Sequence, residues 1–282
     1  MLNIASFLDI AAPYRAIFLD SYGVVKNYQG LIPGAPETIR LLREQGKIIR
    51  ILTNDASRSP EQQASRFAEQ GLPGILPAEI ITSGMMAKLF LAQKVKSGRV
   101  AYLGTTAAAS CILQAELPCV PVGSVDLENC ADISAMVFLD DEGFDWNTDI
   151  NKTVNLLNQN NIPVIVANGD KLYPVTQSDV SIATGGIAKL VESILNRKFI
   201  HFGKPDTQMF NYAFEDISRE GNFMREEVLM VGDTLHTDIL GGNKFGIATA
   251  LVLSGNTHSK DAANWISSTG IIPDHICHSI VG

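Results

Sequence analysis

Four short stretches of this 282-residue chain gather the side chains best suited to chemistry. Asp20-Ser21-Tyr22-Gly23 closes the apolar run 16–19, and Thr53-Asn54-Asp55 closes the run 48–52. Gly203-Lys204-Pro205 stands alone, and the sequence GDTLHTD from Gly232 to Asp238 follows another apolar run. A strand that hands a lone carboxylate to a glycine turn presents a nucleophile. Carboxylates at a second strand end supply hard oxygen ligands, and a lone Lys supplies a point charge. Each stretch is weak alone: acid pairs are common in an acidic chain, and G-K-P is often only a turn. Their joint occurrence in this order, three of them directly after apolar runs, carries the signal.

The elements that must position these groups alternate between β-rich and helical patterns for nearly the whole length. Runs such as AIFL and VLMVG are continuously apolar, which suits strands buried on both faces of a parallel sheet. The stretch PETIRLLREQG carries an apolar stripe of Ile39, Leu41 and Leu42, and a helix opens at Ser59-Pro60 and stops at Gly71. Further helices are expected over GMMAKLFLAQKVKSG, over 105–115 and 148–160, and from near Thr237. The fold class is therefore α/β, a doubly wound parallel-sheet (Rossmann-like) core, whose ligands bind at the carboxyl ends of the strands. Residues 86–188 hold a second strand–helix series with too many strands for one compact sheet. We expect an inserted α/β domain there, with the core formed by 1–85 and 189–282.

Composition narrows the classes of function. The chain is 46% apolar and 18% charged, with a net charge of −8 and no basic block, which disfavours nucleic acid and anionic membrane as partners. An anionic substrate would require local positive charge, from a metal ion or a placed Lys. The four cysteines make no C-x-x-C pair and no zinc spacing, and are read as reduced core thiols. No apolar stretch approaches the ~18 residues of a membrane helix, and the first residues lack a basic leader, so the cytoplasm is the expected location.

Taken together the four motifs resemble the haloacid dehalogenase (HAD) superfamily of aspartate-nucleophile hydrolases, over almost the whole chain. The place of the insertion resembles the class with an α/β cap of the second type (C2). GDTLHTDILGG, FGKP and the stretch from ANGD to GGIAKLVESI are most similar to subfamily IIA, the sugar-phosphate and p-nitrophenyl phosphate phosphatases. The resemblance implies an Mg²⁺-dependent phosphatase acting on a small phosphorylated metabolite, a sugar phosphate or nucleotide monophosphate. It implies Asp20 as nucleophile, forming an aspartyl-phosphate. Asp20, the backbone carbonyl of Tyr22 and Asp233 would hold Mg²⁺, with Asp238 behind them. Lys204, Thr53 and Asn54 would bind the phosphoryl oxygens. Asn168, Gly169 and Asp170 of the cap would face the substrate, with Asp140-Asp141 as a further cap pair, and dimerisation would run through the cap.

Tyr22 departs from the phosphatase pattern, which places there an Asp that protonates the leaving oxygen and activates water. An unperturbed phenol, with a pKa near ~10, donates a proton but is a poor base at neutral pH. The dehalogenases carry D-x-Y-G at this place, so DSYGV points to carbon–halogen chemistry, whereas GDTLHTD points to phosphoryl transfer. Two carboxylates facing Asp20 would repel an acidic substrate unless a metal offset them, which favours phosphoryl chemistry. A metal-independent dehalogenase-like hydrolase and a catalytically weak phospho-ligand-binding pseudoenzyme remain the alternatives. Asp55 is a candidate replacement acid, against the plainer reading of a cap for the helix near Ser59. His236, at the variable position of G-D-x-x-x-T-D, is read as exposed, with a place near the metal as the alternative.

Overall fold

The computed structural model describes residues 4–176 and 179–281. The chain divides into two compact units, one of Met1–Thr53, Pro60–Ile81 and Lys204–Gly282, the other of Asn54–Ser59 and Thr82–Gly203. The second unit thus extends past 86–188 at both ends and takes in residues 54–59. Packing explains the C-terminal difference: Ile187, Ala188 and Val191 of the helix Thr184–Leu195 belong to the core of the second unit's sheet. The strand Ile200–His201 then pairs with Val164–Val166 in that sheet.

The first unit is built on a six-stranded sheet in the order His275–Cys277, Ala248–Val252, Val228–Gly232, Ala16–Asp20, Ile48–Thr53 and Ile80–Thr82. Ala16–Asp20 is central and pairs in parallel with both neighbours. Residues 16–19 are fully buried, as their unbroken apolar sequence requires of a strand covered on both faces. The helix Ala35–Glu44 packs Ile39 and Leu42 onto one side, with Phe67 of Pro60–Glu69 in the same core. Register fixes the functional edge. Leu19 pairs with Val231 and Asp20 with Leu52, so Asp233 and Thr53 leave their strands at the level where Asp20 leaves its own.

The second unit carries a five-stranded sheet in the order Ile200–His201, Val164–Val166, Ile133–Phe138, Arg99–Leu103 and Cys119–Pro121. Its neighbouring strands pair in parallel. Leu156 and Leu157 of the helix Thr148–Gln159 are buried in its core. Where a helix over 105–115 was expected from the pattern, only Ser110–Leu113 is α-helical, and the chain before it turns on bonds such as Ser110 N to Ala107 O. A short antiparallel hairpin, Leu172–Pro174 with Val180–Ile182, is an element the sequence pattern does not announce.

The four cysteines are free thiols; Cys130 and Cys277 are core residues, while Cys111 and Cys119 are only part-buried. No helix among the described residues is long and apolar enough to cross a membrane.

Candidate active site

At the carboxyl edge of the first unit's sheet, Asp20, Asp233 and Asp238 bring one oxygen each within 4.8 Å of one another. Asp20 ends the central strand and Asp233 follows the last residue of its neighbour. Asp238 returns to the same place through a widened turn, Leu235–Ile239, of the π type that often occurs at functional sites. Lys204 threads between them: its Nζ lies 2.6 Å from Asp20 Oδ1 and 2.7 Å from Asp238 Oδ1. Its side chain is only 2% exposed, so this ammonium is committed to the two carboxylates rather than to water.

Backbone groups hold the acids in place. Ser21 N donates to Asp20 Oδ1 at 2.7 Å. The Thr234 hydroxyl donates to Asp233 Oδ1 at 2.8 Å, and Asn256 N donates to Asp233 Oδ2 at 2.7 Å. Thr234 N donates to Asp238 Oδ2, so Asp238 also serves as a helix-start acceptor while its other oxygen meets Lys204. Gly23 explains the glycine of the motif: its φ is +80°, and a Cβ there would sit 2.0 Å from Asp233 Oδ2.

The electrostatics follow from burial. Desolvation pushes the Asp20 carboxyl well above the usual carboxylate range; Lys204 opposes that rise, and Asp238 and Asp233 add to it. Desolvation, then the charge of Asp238, pushes Asp233 up to about 7. Burial alone would lower Lys204, but Asp20 and Asp238 outweigh it and hold the ammonium above its ordinary value. With all groups ionised, three carboxylates around one ammonium leave a formal charge of −2. A hard divalent cation would balance that charge, and carboxylate oxygens are its preferred ligands. The donor set therefore fits such an ion.

Tyr22 is part-buried, and burial with the nearby charge of Asp233 raises its phenol above the ordinary value, opposed by a hydrogen bond from the Tyr28 backbone. The phenol is a proton donor, not a base, near neutral pH. Thr53 is buried at the end of its strand, and His236 is exposed.

The remaining expected residues lie in the second unit. Asn54 Nδ2 donates to Asp170 Oδ1 at 2.8 Å, and Asp170 N donates to Asn168 Oδ1. Tyr173 OH donates to Asp141 Oδ2 at 2.9 Å, and the Thr105 hydroxyl to Asp140 Oδ2 at 3.0 Å. Asp55 accepts from Ser57 N and Ser57 Oγ and lies 3.4 Å from Arg58. These are the contacts of a local turn that precedes the helix Pro60–Glu69. One group escaped the sequence reading altogether: residues 254–257, after the strand Ala248–Val252, wrap Asp233. Their only signal was the glycine turn at Gly255, because what they contribute is largely backbone.

Two family profiles match the chain, haloacid dehalogenase-like hydrolase over residues 17–117 and HAD-hydrolase-like over 201–281. A solved structure from Cytophaga hutchinsonii, described as a possible sugar phosphatase of the HAD superfamily, is 51% identical. The match covers all of this chain and 99% of that one, with a TM-score of 0.97. The chain belongs to the haloacid dehalogenase superfamily. Curated relatives at lower identity span nearly its whole length. Chronophin of Rattus norvegicus is 28% identical over 98% of this chain and 89% of its own. Glycerol-3-phosphate phosphatase of the same organism is 27% identical, covering 96% and 90%.

Proposed function

We propose that this HAD hydrolase is a divalent-cation-dependent phosphatase, with Mg²⁺ as the physiological ion, acting on a small phosphorylated metabolite through an aspartyl-phosphate. The observation that carries the reading is the Asp20–Lys204–Asp238 arrangement with Asp233 beside it, three carboxylates around one ammonium, a donor set that suits a divalent cation. A dehalogenase needs no such acid cluster. Relatives named as phosphatases over almost the full length support the same chemistry, and the names of two of them, a possible sugar phosphatase and a glycerol-3-phosphate phosphatase, suggest a sugar or polyol phosphate. Free thiols fit a reducing cytoplasm.

Asp20, Asp233 and the Tyr22 carbonyl would hold the cation, which when bound neutralises the phosphate dianion and lets a carboxylate approach it. An Asp20 oxygen attacks phosphorus; the P–O bond to the leaving alcohol breaks as the Asp20–P bond forms. Lys204 Nζ, already against Asp20, places positive charge on the transferring oxygens. Thr53 would donate to those oxygens from the neighbouring strand end. Asp238 holds Lys204 in position from the far side. Water then attacks the phosphorus of the aspartyl-phosphate, releasing phosphate and restoring Asp20. Tyr22, in its neutral form, can protonate the leaving oxygen but begins the cycle without basic capacity. This is the step at which the protein departs from an Asp-bearing site.

The test is phosphate release from sugar phosphates, glycerol 3-phosphate, nucleotides and p-nitrophenyl phosphate, with and without Mg²⁺. Asp20→Asn should lower turnover by ~10⁴-fold or more while thermal unfolding stays cooperative. Retained turnover in that variant would refute the nucleophile. Tyr22→Asp should speed alkyl phosphates, with their poor leaving groups, by up to ~10²-fold and p-nitrophenyl phosphate much less. An equal effect on both would show that leaving-group protonation does not limit the rate.

A further inference from the structure

The loop after the strand Ala248–Val252 forms a wall of the carboxylate site that no motif assigns. Ser254 Oγ donates to the Gly23 carbonyl at 2.7 Å. Asn256 N donates to Asp233 Oδ2 at 2.7 Å, and Asn256 Nδ2 to Thr234 Oγ1 at 2.9 Å, whose own hydrogen goes to Asp233 Oδ1. Thr257 N donates to the Asp233 carbonyl. Between these bonds, Gly255 lies so close that a Cβ on it would be 1.9 Å from Asp233 Oδ2 and 2.7 Å from Gly23 Cα. The backbone at Gly23 and at Gly255 therefore closes directly on the Asp233 carboxylate, with no side chain of their own in the way.

The turn after the nucleophile is also braced by its own backbone. Val25 N and Lys26 N donate to the Ser21 carbonyl, and Gly23 N donates to the Lys26 carbonyl. Those bonds fix the shape of the turn but not its distance from Asp233. The Ser254 hydroxyl ties the turn, at Gly23, to the same loop that grips Asp233. We propose that Ser254 is a positioning residue, which sets the spacing between the Asp20–Gly23 turn and Asp233 and so preorganises the oxygens that receive the divalent cation. Ser254 touches neither carboxylate and carries no charge, so it acts only through Gly23. Side chains that orient ligands from outside in this way typically influence metal affinity or activity by ~10–100-fold.

This role rests on the cation-dependent reading of the site, and the experiment separates the two. Binding of Mn²⁺ alone is measured by the loss of the free-ion electron paramagnetic resonance signal, on the full chain at pH 7.5. The variants are Ser254→Ala, which removes the donor, and Ser254→Thr, which keeps it. Ser254→Ala should weaken Mn²⁺ binding by ~10-fold, and Ser254→Thr should recover most of that loss. With saturating Mg²⁺ and p-nitrophenyl phosphate, Ser254→Ala should lower kcat with little change in KM, since Ser254 does not touch substrate. Wild-type-like Mn²⁺ affinity in Ser254→Ala overturns the role. So does a weakening that Ser254→Thr fails to restore while both variants unfold at the same temperature, because the hydroxyl would then not be the cause. If the wild type itself does not bind Mn²⁺, the cation-dependent reading fails first.

Discussion

Each of the two units gathers three carboxylates, and they are stabilised by different means. In the first, Asp20, Asp233 and Asp238 lie within a few ångströms around one buried ammonium. In the second, Asp140 and Asp141 are part-buried and feel the charge of Asp55. There the donors are mostly neutral hydroxyls, from Thr105, Tyr173 and Ser57, with Arg58 beside Asp55. Burying charge without a counter-ion is costly, whereas a half-exposed carboxylate bonded to a hydroxyl retains water's help. The first cluster thus depends on its buried Lys for counter-charge. The second is held by neutral donors and keeps part of its surface open to water.

The sharpest way to break that contrast is to remove the ammonium. Lys204→Met keeps the volume of the side chain but leaves Asp20 and Asp238 without their shared partner. Removing one member of a buried ion pair typically costs ~3–5 kcal/mol, and the charge on the transferring oxygens is lost as well. We expect the largest fall in unfolding temperature among single substitutions of either cluster, together with near-complete loss of turnover. Arg58→Met in the second unit should cost under ~1 kcal/mol, because its pair with Asp55 is long and its side chain is 40% exposed. Similar losses in the two variants, measured by thermal denaturation, would erase the distinction drawn between the clusters.

A middle-sized effect concerns pH. Asp233 titrates at about 7 in the folded chain, against ~3.9 for a free Asp side chain. Between those values the folded state holds more protons than the unfolded state, so this group makes stability fall as pH rises, the reverse of the usual salt-bridged carboxylate. The metal-free wild type should therefore lose more stability from pH 5 to pH 7.5 than Asp233→Asn does. Mg²⁺ should raise the wild-type unfolding temperature more at pH 7.5 than at pH 5, since it must displace fewer protons there. Parallel pH curves for wild type and variant, without metal, would show that Asp233 is not held protonated by its surroundings.

The contrast also explains what could be read without coordinates. Asp20 and Asp233 were legible because each ends an unbroken apolar run, and strand register does the rest. Asp238 was legible from its spacing, although the widened turn that returns it to the edge was not. The loop 254–257 was invisible because backbone amides and a glycine leave little trace in residue types. In the second unit, Asn54–Asp170 and Tyr173–Asp141 join residues 116 and 32 positions apart, and no local pattern encodes such pairs. The boundary near 188 was misjudged for a related reason. The apolar face of Thr184–Leu195 declares that it packs, not on which sheet.

The smallest effect tests whether the hydroxyl-bonded carboxylates have any part in substrate choice. Tyr173 OH donates to Asp141 Oδ2 from the strand Leu172–Pro174, which pairs with Val180–Ile182. Tyr173→Phe removes one donor to a part-buried carboxylate, a change worth ~1 kcal/mol. If Asp141 meets a substrate hydroxyl, freeing it from Tyr173 should alter KM for sugar or polyol phosphates by a few-fold. The KM for p-nitrophenyl phosphate, which offers no such hydroxyl, should stay unchanged. Asp141→Asn keeps an acceptor oxygen and loses the charge, so it should follow the same split with a larger shift. Equal shifts for both kinds of substrate would mean that the Tyr173–Asp141 bond supports the hairpin and does not select the ligand. The chemistry of the molecule would then rest on the first unit's cluster alone.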